Sequence, residues 1–393
     1  MEFRTKRIVI VNDGLGPNTG DRAILFSMLD GLRIACPNAQ IRIFPNSRMS
    51  RVGQYLEFWH ALQKADLFIF GGGQEIEDQA SVAFLISGLL KMTLAKVLSR
   101  PILCYAIGVG PVATGLGRLL VRLVLNRVDL ITVRDEDSQK ILKQLGVKRP
   151  PCFVTADPSF ALAQSDDQRV RSVFLSAGLD QTSGPRIAIT PRLWFHYRHH
   201  LLPITWRVKF HPVPEPKEFT NLKETIAQVA DHLVVKHKAR VIFVPMSSSG
   251  GKCDPSNDDD QVSKEIIDLM KFKDRVFLLP GSYSPMELKT FFGQMDLVIG
   301  MRMHSLILAS MMNVPIIGMA LSPKFHPLFK SLGQSEYLIS LKDISYHKLL
   351  EKTEAALSKA REITEGLKSR RNTLQELALS NIGYVQHILR SRS

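Results

Sequence analysis

Little in this sequence provides for a metal centre or a disulfide framework. Its four cysteines, Cys36, Cys104, Cys152 and Cys253, are widely spaced and form no CxxC pair. Neither a zinc site nor a stapled secreted scaffold is expected, and a reducing compartment fits best. No signal peptide is expected either, because MEFRTKRIVIVN runs from basic residues straight into a short apolar run with no small-residue cleavage site. The longest apolar region, Ala83 to Leu98, is broken by Lys91 and Lys96 and falls short of a membrane span. It reads as a buried or amphipathic helix, so the expected location is the cytoplasm. There is no RNP1-like aromatic motif and no zinc-finger spacing, which argues against nucleic acid as a partner.

What is present is the balance of a globular protein: 393 residues, 45% hydrophobic and 22% charged. That length exceeds one ordinary hydrophobic core, and two domains follow. The formal charge of +14 draws phosphates, acidic glycans or an anionic membrane face, and is compatible with peripheral work at the inner membrane surface.

Short β-branched and aromatic runs recur along the chain: RIVIVN from Arg7, IRIF from Ile41, DLFIFG from Asp66, PILCYAIG from Pro101, DLITV from Asp129 and CFVTA from Cys152. Helix-length segments lie between them, the signature of a parallel sheet with covering helices. After a polar stretch the pattern restarts with RIAIT, ARVIFVP, RVFLLP, DLVIG and PIIGM. The reading is an α/β protein of two Rossmann-like domains facing a cleft, as in GT-B enzymes. Residues 1–165 and 186–365 form the domains, 166–185 a linker, and 366–393 a solvated closing helix with a basic tail. In the insert from Arg192 to Pro216, aromatic and basic residues interleave, which suits stacking on sugars or lying on lipid headgroups.

Ligands in open α/β sheets bind beyond the carboxyl ends of the strands, so the chemistry is sought in strand-to-helix turns. The first, VNDGLGPNTGDRAIL, places Gly20 and Asp21 at a helix start, without the GxGxxG order of a dinucleotide site or the Lys of a P-loop. The turn GGGQEIED brings Gly72, Gly73, Glu75 and Asp78, and AIGVGPV brings Gly108 and Gly110. Arg134 stands at the tip of DLITV, suited either to an anion or to a salt bridge with Asp135 or Asp137, and Asp157 ends the next strand. In DLVIGMRMHSLILASMMNVPIIGMALSPK, Arg302 and His304 follow a strand and Lys324 follows the next one. A lone histidine there is ordinarily structural. With an Arg beside it and a Lys after the next strand, the set suggests an anion site with a proton donor. The acidic run DPSNDDD from Asp254 lacks a D-x-D-x-D-G pattern and reads as a solvated loop, so no metal is expected.

Taken in order, NTGD, DLFIFGGG, GVGP, VRDEDS, ADPSF, IGMRMHSLILA, VPIIGM and SPK resemble the polysaccharide pyruvyltransferase family along most of the chain. The resemblance implies a GT-B-like fold. It also implies transfer from phosphoenolpyruvate, as co-substrate and with no other cofactor, to a sugar acceptor, lipid-linked ones included. Pyruvate would be left as a ketal across two hydroxyls, phosphate would depart, and the setting would be exopolysaccharide or cell-surface glycan synthesis. The family's functional positions fall on Arg134, Arg302, His304 and Lys324. On this reading Arg134 and Arg302 hold phosphoenolpyruvate, His304 protonates C3 and Lys324 receives the phosphate. Glu75, Asp78 or Asp157 takes the last proton. A nucleotide-sugar glycosyltransferase of the same architecture is the alternative.

Overall fold

A computed structural model describes residues 5–46, 52–78, 81–164, 168–180, 183–193, 216–248 and 258–391. Most of the insert from Arg192 to Pro216 and the acidic residues Asp254 to Asn257 therefore lie outside the described residues, as does Cys253.

The first domain alternates β1 (Arg7–Val11), α1 (Thr19–Ala35), β2 (Gln40–Phe44), α2 (Val52–Gln63), β3 (Leu67–Gly71), β4 (Gln74–Ile76), α3 (Val82–Val97), β5 (Ile102–Val109), α4 (Gly115–Leu125), β6 (Leu130–Val133), α5 (Glu136–Gln144) and β7 (Cys152–Val154). A 3-10 turn, Pro158–Ala161, and α6 (Gln168–Ser176) lead to the second domain. There β8 (Arg186–Thr190), α7 (Lys217–His237), β9 (Arg240–Phe243), α8 (Asp259–Leu269), β10 (Val276–Leu278), α9 (Pro285–Phe292), β11 (Leu297–Gly300), α10 (Met303–Met311), β12 (Ile316–Ala320), α11 (Phe325–Ser331), β13 (Leu338–Ser340) and α12 (Tyr346–Ser358) follow. The chain ends in α13 (Ala360–Arg390).

Each domain carries one parallel sheet, in the order β2-β1-β3-β5-β6-β7 with β4 beside β5, and β10-β9-β8-β11-β12-β13. Strands β3, β5, β6, β11 and β12 are buried end to end, as expected of strands covered on both faces by helices. The second sheet has the Rossmann order and the first a flavodoxin-like one. Their topological switch points fall between β1 and β3 and between β8 and β11, and the turns after these four strands are where a ligand belongs. Among the described residues no helix is long and apolar enough to cross a membrane.

The C-terminal helix departs from the expectation of a solvated closure. α13 begins at Ala360, and Leu367, Leu374 and Ala378 pack in the core of the second domain. Its end crosses to the first sheet, where Val385, Ile388 and Leu389 join Ile8, Ile69 and Leu103. The buried Asn381 accepts from Thr132 Oγ1 at 2.6 Å and Thr155 Oγ1 at 3.1 Å. Of the basic cluster that gave the segment its solvated look, Lys368 is exposed and pairs with Glu365, whereas Arg370 and Arg371 donate to Ser331 O and Met311 O of the second domain. Residues 168–176, within the stretch read as linker, form α6, and its Phe174 ring packs at a tilt against Phe291 of α9, with centroids 5.2 Å apart.

Candidate active site

The two domains meet where the turn after β1 touches the second sheet. Thr19 N donates to Met246 O at 2.9 Å and Arg22 Nη1 to Tyr283 O at 3.4 Å. Between them lies a cavity lined by Asn18, Gly20, Asp21, Gln74, Arg134, Arg192, Met246, Arg302, His304 and Lys324. These residues come from the turns after β1, β3, β8 and β11, joined by those after β6, β9 and β12. Both switch points thus open into one site.

From the first domain, α1 starts at this cavity. Asn18 caps it, accepting from Gly20 N at 3.0 Å, and its amide donates to Asp21 Oδ2 at 2.8 Å. A side chain on Gly20 would overlap the His304 ring, so glycine here lets the histidine of one domain seat against the helix start of the other. Burial raises the proton affinity of Asp21 and Asp13 adds to it, while His304, Lys324 and Arg302 oppose it.

Arg134 is buried and held by three neighbours. Its Nη2 donates to Gln74 Oε1 at 2.6 Å, its Nη1 pairs with Asp157 Oδ2 at 3.2 Å, and its Nε lies 3.7 Å from Asp135. The guanidinium lies over Gly108, and Gly110 gives the same clearance to Gln74 and Glu77. Asp157 therefore stands between Arg134 and His304, whose Nε2 is 3.6 Å from Asp157 Oδ2. Burial alone would raise Asp157, but His304, Arg134 and Ser159 outweigh it and hold the carboxyl well below the usual carboxylate range. His304 Nε2 is buried and faces the Asp157 carboxylate, just beyond ordinary hydrogen-bond length.

From the second domain, Arg302 is clamped by Asp259, donating from Nε at 2.9 Å and from Nη2 at 2.6 Å. Asp259 also accepts from the backbone N–H groups of Met246 and Ser247, at 3.1 and 3.0 Å. Burial pushes this carboxyl up, and Arg302 and the backbone donors pull against it. The acidic run read as a solvated loop thus contains, in its described part, a fully buried residue, because Asp259 supplies the counter-charge that lets Arg302 stand at the cavity. Lys324 precedes α11. Burial and the nearby Arg192 and Arg134 lower its ammonium to about 8, against the pull of Glu77 and Asp21.

Other expected positions fall elsewhere. Glu75 turns into the first domain, where its Oε2 accepts from Asn46 Nδ2 at 2.9 Å and burial pushes it up to about 8. Asp78 accepts from Ala113 N and Thr114 N, both at 2.8 Å, and so ties down the loop before α4. Gly71 and Gly72 adopt φ of 113° and 101°, and Gly72 abuts Ile24 and Met28 of α1. Gly73 sits against the Glu75 carboxylate. Glu75 and Asp78 are therefore held by the scaffold outside the cavity lining, and Gly72 serves helix packing. Sequence reading passed over Asn18, Gln74, Glu77 and Arg192. Arg192 alone carried a signal, an arginine just past the tip of RIAIT.

Two parallel-sheet domains with a cationic cavity across their switch points define a GT-B-like enzyme fold. The model of the family described as polysaccharide pyruvyl transferase matches residues 18–323, most of the length, and the chain belongs to that family. Among curated protein sequences none matches it. Solved structures of the same fold include Staphylococcus aureus MnaA with UDP, at TM-score 0.65 and 10% identity, covering 98% of this chain and 97% of that one. Anabaena Alr3699/HepE with UDP and glucose superposes at TM-score 0.59 and 11% identity, covering 98% and 100%. The UDP-GlcNAc 2-epimerase of Methanocaldococcus jannaschii does so at 0.56 and 14%, covering 90% and 93%. At these identities the likeness is one of fold.

Proposed function

We propose that the chain transfers the pyruvyl group of phosphoenolpyruvate to two hydroxyls of a sugar acceptor, forming a ketal and releasing phosphate, in the synthesis of a surface or exported glycan. Family membership supports the reaction class. The observation that carries the donor assignment is the convergence of Arg134, Arg192, Arg302 and Lys324, drawn from both domains, on one cavity that also holds a histidine. Phosphoenolpyruvate bears a carboxylate and a phosphate, and forked guanidinium groups suit both.

The chemistry follows from the placement. His304 gives a proton to C3 of the enol, and the electrons of the double bond leave C2 electrophilic. A first sugar hydroxyl bonds to C2, and the C2–O bond to phosphate breaks with Lys324 and Arg192 offsetting the charge on the departing group. A second hydroxyl then closes the ketal. Of the two protons the hydroxyls lose, one restores His304 and the other leaves with phosphate. Asp21 is the cavity carboxyl we assign to the second proton transfer, because Glu75 and Asp78 face elsewhere and Asp157 is held ionised by Arg134 and His304. Asp157 orients the imidazole. The cations already present supply the charge this sequence requires, and phosphoenolpyruvate is consumed as a co-substrate.

The UDP bound in structures of the same fold favours a second reading, a nucleotide-sugar transferase. Thermal denaturation with each donor separates the two. Stabilisation by phosphoenolpyruvate, absent in Arg192→Ala and Lys324→Ala, is expected; stabilisation by UDP-sugars with no response to phosphoenolpyruvate would replace the first reading with the second.

A further inference from the structure

Helix α4 presents a face that the fold does not cover. Leu116, Leu119 and Leu123 recur at i, i+3 and i+7 and so share one side of the helix, with exposures of 53%, 53% and 44%. Arg118 and Arg122 are exposed beside them, Arg127 follows the helix end, and α4 contains no acidic residue. Its inner face, Gly117, Val121 and Leu125, is buried in the domain. α3 packs beside it and leaves Ile86, Leu90 and Val97 exposed on its own outer side. An apolar stripe this long, bordered by one sign of charge, matches a bilayer interface with anionic headgroups rather than water.

The same helix is linked to the candidate site. A groove lined by Arg118, Leu119 and Arg122 adjoins a second cavity through shared walls at Pro111, Ile141 and Gln144. That second cavity shares Gln74 and Lys324 with the active-site cavity. Neighbouring cavities with shared walls thus lie between α4 and Lys324.

We propose that the exposed face of α4 docks on an anionic bilayer. Leucines enter the headgroup boundary while Arg118, Arg122 and Arg127 meet lipid phosphates, so attachment combines buried apolar area with salt-sensitive attraction.

The test is co-sedimentation of the full chain with acceptor-free vesicles of phosphatidylglycerol or of phosphatidylcholine. Pelleting with the first and not the second, weakened by salt, is expected. The double variant Leu116→Ser/Leu123→Ser should partition roughly tenfold more weakly or less, from the apolar area it withdraws, while its melting temperature and its stabilisation by phosphoenolpyruvate stay as in the wild type. Equal pelleting of the variant, or no pelleting with phosphatidylglycerol at low salt, overturns the proposal. So does concentration-dependent self-association in sedimentation velocity that the variant abolishes, since the face would then belong to a second copy. Loss of the phosphoenolpyruvate response with pelleting intact would instead count against the transfer reading.

Discussion

Arg302 donates through Nε and Nη2 to the carboxylate of Asp259, at 2.9 and 2.6 Å, and both side chains are buried. The pair fixes the arginine at the cavity wall with part of its donor fork already used. Removing one partner leaves the other charged and unsolvated. Arg302→Ala should therefore cost about 3–5 kcal/mol of stability, the range for stranding a buried ion. Asp259→Asn, which keeps the shape and one acceptor oxygen, should cost less. Denaturant melts of the two variants decide it, and equal mild losses would show that the pair carries little.

Gly20 makes room for the His304 ring. Alanine there has no φ to avoid, so the helix start should survive and the ring should shift. We expect Gly20→Ala to lower kcat on the order of a hundredfold, the cost of misplacing a catalytic group by about 1 Å, with a small change in melting temperature. Steady-state kinetics beside a melt would reveal it.

How far the site was legible in the sequence depends on how local each cause is. The β/α alternation was plain because each buried strand writes its own apolar run, and Arg134, Arg302, His304 and Lys324 were legible because they sit just past strand tips. Asp259 was not, since a run of aspartates looks solvated until a partner 43 residues away in sequence is known to face it. Gln74 and Glu77 were overshadowed by Glu75, because which way a turn residue points depends on the strand β4 that the turn forms, too short to show a period. α13 read as solvated because charged residues weigh heavily in its composition, while the first-domain surface it covers lies over two hundred residues earlier, as Asn381 and Thr132 illustrate.

Lys324 predicts a pH profile. Its ammonium is lowered to about 8, so in the free enzyme the cation is present below that pH and lost above it. kcat/KM for phosphoenolpyruvate, which reports groups of the free enzyme, should fall as pH rises through about 8. Lys324→Arg, charged throughout, should flatten that limb even if its rate is lower. A limb unchanged in the arginine variant would assign it to another group.

Glu75 predicts a stability profile. Its folded-state pKa of about 8 lies above the ordinary carboxyl value, so the folded state holds a proton that the unfolded state has released. The contribution of this group is fully present below the unfolded pKa near 4.5 and is lost as pH rises to about 8. Glu75→Gln keeps the bond to Asn46 without the titration. Melts from pH 5 to pH 8 should show a shallower decline in the variant, and parallel curves would refute the assignment.

The central claim is that His304 protonates phosphoenolpyruvate beside a cluster of cations. Its most direct test is phosphate release from phosphoenolpyruvate by the wild type and by His304→Ala, against a panel of simple and lipid-linked glycosides. The account predicts acceptor-dependent release that the variant loses. Release that persists undiminished in His304→Ala, or none from any acceptor in a wild-type enzyme that turns over UDP-sugars, would contradict it.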